Sequence, residues 1–296
     1  MEYINIKVDK EQSTKQLLRK NDFSTKAILE ILNNGYLINN KITYKNSYLN
    51  INDQVKIEIP KEELDYQPIK ANINIIYEDD HILVIDKAYG ITVNSKNQVS
   101  LANHISYYFK ENGIKSKIRF INRLDMNTSG LLMVAKNKFA QSFYQKQIET
   151  NQFNKYYIAA VKGNLDIDRE VKVYLSYDEK SKRYEVKDKG KLAITYFKTK
   201  ACSIDRKVCF IMADIRTGKT HQIRSSLSYL GFPIIGDTLY GSDIDFNRFF
   251  LHCYQISFRK FLSKETISLN AMPNFTQLNN LLWKLLFENY YPVYYN

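Results

Sequence analysis

The residues of this 296-residue chain best suited to chemistry sit in one short run, Ile121-Asn122-Arg123-Leu124-Asp125-Met126-Asn127-Thr128-Ser129-Gly130, followed at once by the apolar stretch Leu131-Leu132-Met133-Val134-Ala135. A turn-forming segment that ends in glycine and enters a buried-looking strand presents Asp125 at a sheet edge, with Arg123 two places before it. That is a good place for a reactive carboxylate. Asp, Asn, Thr, Ser and Gly also favour turns for backbone reasons, so the run alone reads as an ordinary Asx turn.

Two other stretches carry candidate groups. Arg216-Thr217-Gly218-Lys219-Thr220-His221-Gln222-Ile223-Arg224 follows the strand-like Val208 to Ile215. Thr217 or Thr220 is placed to cap a helix whose buried stripe is Ile223, Leu227 and Leu230, with Gly231 and Pro233 ending it. His221, Arg224 and Ser228 share another face, beside the core. The stretch from Asn154 to Gly163 reads as a strand, with Tyr157, Ala159 and Val161 on one face and Tyr156, Ile158 and Ala160 on the other.

Residues Asn122 to Asn137 resemble the catalytic motif of the RluA-type RNA pseudouridine synthases, written H-R-L-D-x-x-T-S-G-L-L-x-x-A-K, with Asn122 where many members carry histidine. Asn154 to Gly163 resembles that family's K-x-Y-x-A-x-V-x-G element, and Thr217 to Arg224 its T-G-R-T-H-Q-I-R run, with Lys219 replacing arginine and Ser225-Ser226 replacing Val-His. Arg248-Phe249-Phe250-Leu251-His252 is similar to its later R-x-x-L-H element, and Ile82 to Asn94 to its opening motif, expected to buttress the site. The resemblance makes Asp125 the essential carboxylate, Tyr157 the active-site tyrosine and Arg224 the cation that holds Asp125. It further implies that Arg123 fills the space left by a flipped nucleotide, and that Lys155, Lys219 and His221 contact phosphates or base edges. The implied fold is α+β, the pseudouridine synthase fold: a mixed, largely antiparallel sheet flanked by helices and loops.

Converting uridine to pseudouridine breaks the glycosidic C–N bond, turns the freed uracil and joins its C5 to the same sugar carbon. Nothing is gained or lost, so neither a metal nor a redox cofactor is expected. A carboxylate in a closed pocket tends to protonate, so a nearby cation is needed, and arginine offers a fork that lysine lacks. The target base must be splayed out of the RNA first. The expected function is isomerisation of specific uridines in structured RNA, 23S ribosomal RNA before transfer RNA. The alternative is a catalytically silent RNA-binding or assembly protein on the same fold; a hydrolase is disfavoured because neither a nucleophile–histidine pair nor a second carboxylate is evident.

The elements around these motifs fall into two units. Ser13-Thr14 and Ser24-Thr25 are placed to cap two helices, the second closed by Gly35, and Gln54 to Ile59 alternates as a strand. This order resembles an S4-type RNA-binding module over residues 1–60, with Asn33 to Lys41 at its recognisable turn and Leu49 to Val55 at its exit. Residues 61–71 read as a polar connector, and residues 72–296 as the catalytic domain, with a helix over Leu101 to Phe109, polar hairpins between 164 and 200, and an apolar helix after Met272-Pro273 through Trp283 and Phe287.

The net charge is +12, of which the first 60 residues, with nine basic and seven acidic side chains, carry only +2. The basic surface therefore belongs mainly to the larger unit and points to a polyanion. Tyrosine, 23 residues in all, offers stacking partners for unpaired bases. Three widely spaced cysteines, Cys202, Cys209 and Cys253, read as reduced core residues, and the four histidines lack metal-ligand spacing. No apolar run reaches the length of a membrane span and the start lacks the pattern of a secretory signal. A cytoplasmic monomer is expected.

Overall fold

Alternating apolar residues build the first unit of the computed structural model, which describes residues 2–203 and 207–275. Ile4 and Ile6 on the strand Tyr3–Lys7 and Val55 and Ile57 on Gln54–Glu58 are buried, and these two strands pair antiparallel. With Tyr36–Ile38 and Lys41–Thr43 they form a four-stranded sheet, covered by the helices Thr14–Lys20 and Thr25–Asn34. Ser13 caps the first helix in a capping box with Gln16, Ser24 caps the second, and Gly35, at φ +86°, ends it. The strand Tyr3–Lys7 is an addition to the sequence reading.

The rest of the chain is organised on an 11-stranded sheet. Its path runs through Arg183–Val186, Asp168–Asp178, Lys191–Cys202, Val208–Ile215, Asn154–Lys162, Leu251–Arg259, Ser129–Ala135, Ile82–Lys87 and Asn74–Glu78. Every pairing is antiparallel except that of Ser129–Ala135 with Leu251–Arg259, in which Ser129 faces His252 and Gly130 faces Cys253. The result is the mixed, largely antiparallel α+β architecture that the resemblance implied. Ser129–Ala135 is buried at every position, as a central strand with a continuous apolar run must be. At Gly130, φ is +112° and an added Cβ would lie 2.3 Å from the Cys253 carbonyl oxygen, so only glycine lets these strands meet.

The polar hairpins expected between 164 and 200 are present, and they are part of the main sheet. Val171, Val173, Leu175, Ala193 and Phe197 alternate inward and carry the main sheet onward. The connector is fastened as well: Arg119 pairs with Glu62 at 2.6 Å, Asp65 accepts from the Ile118 amide, and Ser106 and Asn103 donate to the Tyr66 and Gln67 carbonyls. Phe23 packs against Phe139 and Phe261, and Asp22 pairs with Lys146 and Arg259, joining the first unit to the sheet.

One cysteine expectation is corrected. Cys202 and Cys209 stand opposite each other on paired strands, Cα atoms 4.0 Å apart, and form a disulfide, while Cys253 is a buried free thiol. Seven residues of separation hid a contact that a hairpin creates. The apolar helix expected through Trp283 and Phe287 lies outside the described residues. Among the described residues, no helix is long and apolar enough to cross a membrane.

His252 couples stability to pH. Its Nε2 lies 2.8 Å from the Ala271 carbonyl and its Nδ1 2.9 Å from Ser129 Oγ, so both nitrogens are committed in the neutral ring. Burial lowers its pKa to about 4. The unfolded state therefore binds the proton more readily, and stability that is full above about pH 6.5 is lost as pH falls towards 4, by roughly 2–3 kcal/mol from this residue. Urea midpoints should fall more steeply between pH 7 and 4 in the wild type than in His252→Asn; equal slopes would contradict the assignment.

Candidate active site

The loop before the central strand is built from both sides. Asn122 is 5% exposed, its amide donating to the Leu131 carbonyl at 3.0 Å and accepting from the Met133 N–H at 2.9 Å. The residue that departs from the family string thus pins the loop to the strand with both ends of its side chain. After Asp125 the chain turns, with the Thr128 N–H bonded to the Asp125 carbonyl. The Met126 carbonyl accepts from the Gly90 N–H and from Lys87 Nζ. Lys87 is 1% exposed and donates to three carbonyls, those of Ala88, Ile91 and Met126; burial brings its pKa down to about 8, opposed by the charge of Asp125. The opening motif therefore touches the Asp125 loop directly.

Arg224 comes from the helix Gln222–Tyr229 and is 5% exposed. Its Nη1 donates to Asp125 Oδ2 at 3.1 Å, while Nε and Nη2 hold both oxygens of Asp237, at 2.7 and 2.9 Å. The two-pronged pair expected with Asp125 is thus made with Asp237 instead, because one guanidinium serves two carboxylates. Tyr240 and Phe249 stack against it, with centroids 4.9 and 4.3 Å away. Burial pulls the arginine pKa down, but Asp237 and then Asp125 outweigh it and hold it above its ordinary value.

The helix start differs from the sequence reading. Neither threonine caps it: His221 occupies the cap position at φ +56°, without a side-chain cap bond. Gln222 fixes the turn, taking hydrogen bonds from Thr217 Oγ1 and the Lys219 N–H and donating to the Ile194 carbonyl and Thr195 Oγ1. His221 is strained backbone beside a candidate reactive group. Its Nε2 lies 3.8 Å from Asp125 Oδ2 and its Nδ1 3.0 Å from the Tyr240 hydroxyl, which is itself held by the N–H and carbonyl of Tyr184. Burial lowers the His221 pKa, opposed by Asp125.

Arg123, Asp125, Lys155, Tyr157, Lys219, His221 and Arg224 all line one cavity of about 390 Å³. Tyr157 is 5% exposed; burial first, then Cys253 and Asp125, push its hydroxyl pKa well above the ordinary value, so it is a neutral donor. Lys155 is 8% exposed, with burial lowering its pKa and the Phe153 ring 5.8 Å from its ammonium. Arg123 is exposed and makes no ion pair among the described residues. Sequence reasoning missed Asp237, Tyr240, Gln222 and Lys87, although Gly236-Asp237 and Tyr240 stood beside the helix motif. It also missed the Ser129–His252 pair. That pair was not evident in the sequence; His252 is 1% exposed with both nitrogens in use, and the pair ties two strands.

A family model described as RNA pseudouridylate synthase matches residues 81–229. The chain belongs to that family. This pseudouridine synthase is 31% identical to the uncharacterised RNA pseudouridine synthase YhcT of Bacillus subtilis, over 74% of this chain and 75% of that protein. It is 33% identical to ribosomal large subunit pseudouridine synthase D of Borreliella burgdorferi, over 72% of each chain. The synthase also superimposes on human RNA pseudouridylate synthase domain containing 1 with a TM-score of 0.58, at 23% identity, covering 69% of this chain and 84% of that one, a likeness of fold. It is therefore an isomerase.

Proposed function

We propose that this synthase converts uridine to pseudouridine in large-subunit ribosomal RNA, with Asp125 as the reacting carboxylate. The observation that carries the assignment of Asp125 is the 3.1 Å bond from Arg224 Nη1 at the mouth of a cavity that also holds Tyr157. The name of the Borreliella relative supports the choice of RNA. Residues 1–60 serve as an S4-like RNA-binding module, joined through 61–71 to the catalytic domain 72–296; the two capped helices and small sheet fit that role.

The uridine is turned out of the RNA, and Arg123, exposed and without an ion pair among the described residues, takes the space it leaves. Attack of Asp125 on C1′ and removal of the neighbouring 2′ proton both require a carboxylate aimed at the sugar, and the bond from Arg224 Nη1 fixes its direction. The N1–C1′ bond breaks, uracil turns, C5 bonds to C1′, the C5 proton leaves and N1 gains one. Tyr157 stacks on the base and passes a proton. Lys155, Lys219 and His221 contact phosphate or base edges.

Tyr157→Phe separates stacking from proton transfer. Turnover should fall about a hundredfold with RNA binding retained; wild-type turnover would leave stacking alone. The target is tested by mapping pseudouridine in ribosomal and transfer RNA from cells with and without the gene. Positions should disappear from large-subunit RNA and return with the wild-type gene; loss confined to transfer RNA would overturn the choice.

A further inference from the structure

Behind the Asp125 loop lies a second cavity, of about 310 Å³, lined by Asn74, Asp86, Lys87, Tyr89, Arg248 and Asn274 among others. Arg248 is 4% exposed, and its Nε and Nη2 atoms have no hydrogen-bond partner among the described residues. Its Nη1 makes one long contact, 3.4 Å, with the Asn274 carbonyl. Among the described residues no carboxylate lies within 4 Å of it. Asp86 lines the same cavity but bonds to Asn74.

Rings answer part of the charge. The guanidinium lies 3.9 Å from the Tyr89 centroid, 5.1 Å from Phe250 and 5.6 Å from Phe275. Tyr89 also answers part of the charge electrostatically, but Nε and Nη2 remain without a hydrogen-bond partner among the described residues. Arg224 uses that same edge, Nε with Nη2, to grip both oxygens of Asp237. Lys87 adds a second buried cation whose protons all go to carbonyls and whose charge Arg248 feels. Two neighbouring buried cations, neither in an ion pair among the described residues, are costly, and an oxyanion on the fork relieves both.

We propose that this cavity is an oxyanion site in which the buried Nε and Nη2 of Arg248 turn to meet a phosphate group. The site lies at the strand ends that carry the Asp125 loop, since Lys87 pairs with Gly130 and Ser129 with His252. An RNA strand that brings uridine to Asp125 passes that edge, so its backbone is one source of the phosphate and free phosphate the other. The RNA source rests on the proposed catalytic reading; the oxyanion site does not.

Selenate, a tetrahedral probe with an anomalous signal, tests the site in crystals of the full chain. A peak within hydrogen-bond distance of Arg248 Nε and Nη2 is expected; peaks confined to surface lysines overturn the proposal. In solution, phosphate at ten times its Kd should raise the melting temperature by about 3–5 °C. The measurement uses an Arg123→Ala, Lys219→Ala background, which removes basic groups of the first cavity. Arg248→Met should abolish the rise and Arg248→Lys, which keeps the charge without the fork, should weaken binding about tenfold; a rise unchanged in both overturns the site. Saturating RNA that displaces selenate identifies the RNA backbone as the source, and additive binding identifies free phosphate.

Discussion

Arg224→Lys is expected to lower turnover about 10²- to 10³-fold with little change in KM, the pattern of a lost contact that matters most in the transition state. The guanidinium reaches Asp125 with Nη1 while Nε and Nη2 hold Asp237. A lysine nitrogen at the same place can serve one carboxylate well, not two. Asp237 is 1% exposed, so a lysine drawn to it abandons Asp125, and a lysine drawn to Asp125 leaves Asp237 buried and underbonded. The variant should therefore also lose about 2–4 kcal/mol of stability, so that the fold is weakened as well as the chemistry. Rates normalised to folded protein separate the two effects. Normal turnover by a folded Arg224→Lys enzyme would remove the ion pair from the account.

The architecture and the site were legible to different degrees. The sheet could be expected because its central strand carries its own pattern, seven apolar or small residues from Ser129 to Ala135; the alternation of Val171, Val173 and Leu175 lies among charged residues, which made that stretch read as polar hairpins. The alternation of Ile4 and Ile6 was equally plain and was passed over. The motif strings led to seven residues that share one cavity, since each string couples a side chain to the turn or strand that aims it. What could not be read was division of labour among distant groups. Nothing local says that the fork of Arg224 goes to Asp237, that Lys87 gives its protons to three carbonyls, or that Tyr240 stands between Tyr184 and His221. Those facts depend on how a helix, a loop and several strands distant in sequence meet. The helix cap failed for a related reason: Thr217 is held by the Ile194 N–H and by Gln222, and so is drawn away from the helix end.

The unspent edge of Arg248 is the counterpart of that division. Two buried arginines flank the Asp125 loop region, one with a carboxylate on its fork and one with rings on its faces. Arg224 is tied into the chemistry proposed for Asp125, whereas Arg248 reaches the same loop only through Lys87.

Asp125→Asn carries the largest expected effect. The change keeps size and shape, and removes only the charge that Arg224 Nη1 meets at 3.1 Å. An amide can neither attack C1′ nor take the 2′ proton, so conversion should fall roughly 10⁴-fold or more while the folded protein still binds RNA. Isomerisation replaces the C5 hydrogen of uridine by the bond to C1′, so tritium at C5 is released once per event. The decisive measurement is single-turnover tritium release from RNA labelled at C5 of uridine, with wild-type and Asp125→Asn enzyme at saturating protein. The wild type should release the label and the variant should hold it; release by Asp125→Asn within tenfold of the wild-type rate would show that another group performs the reaction.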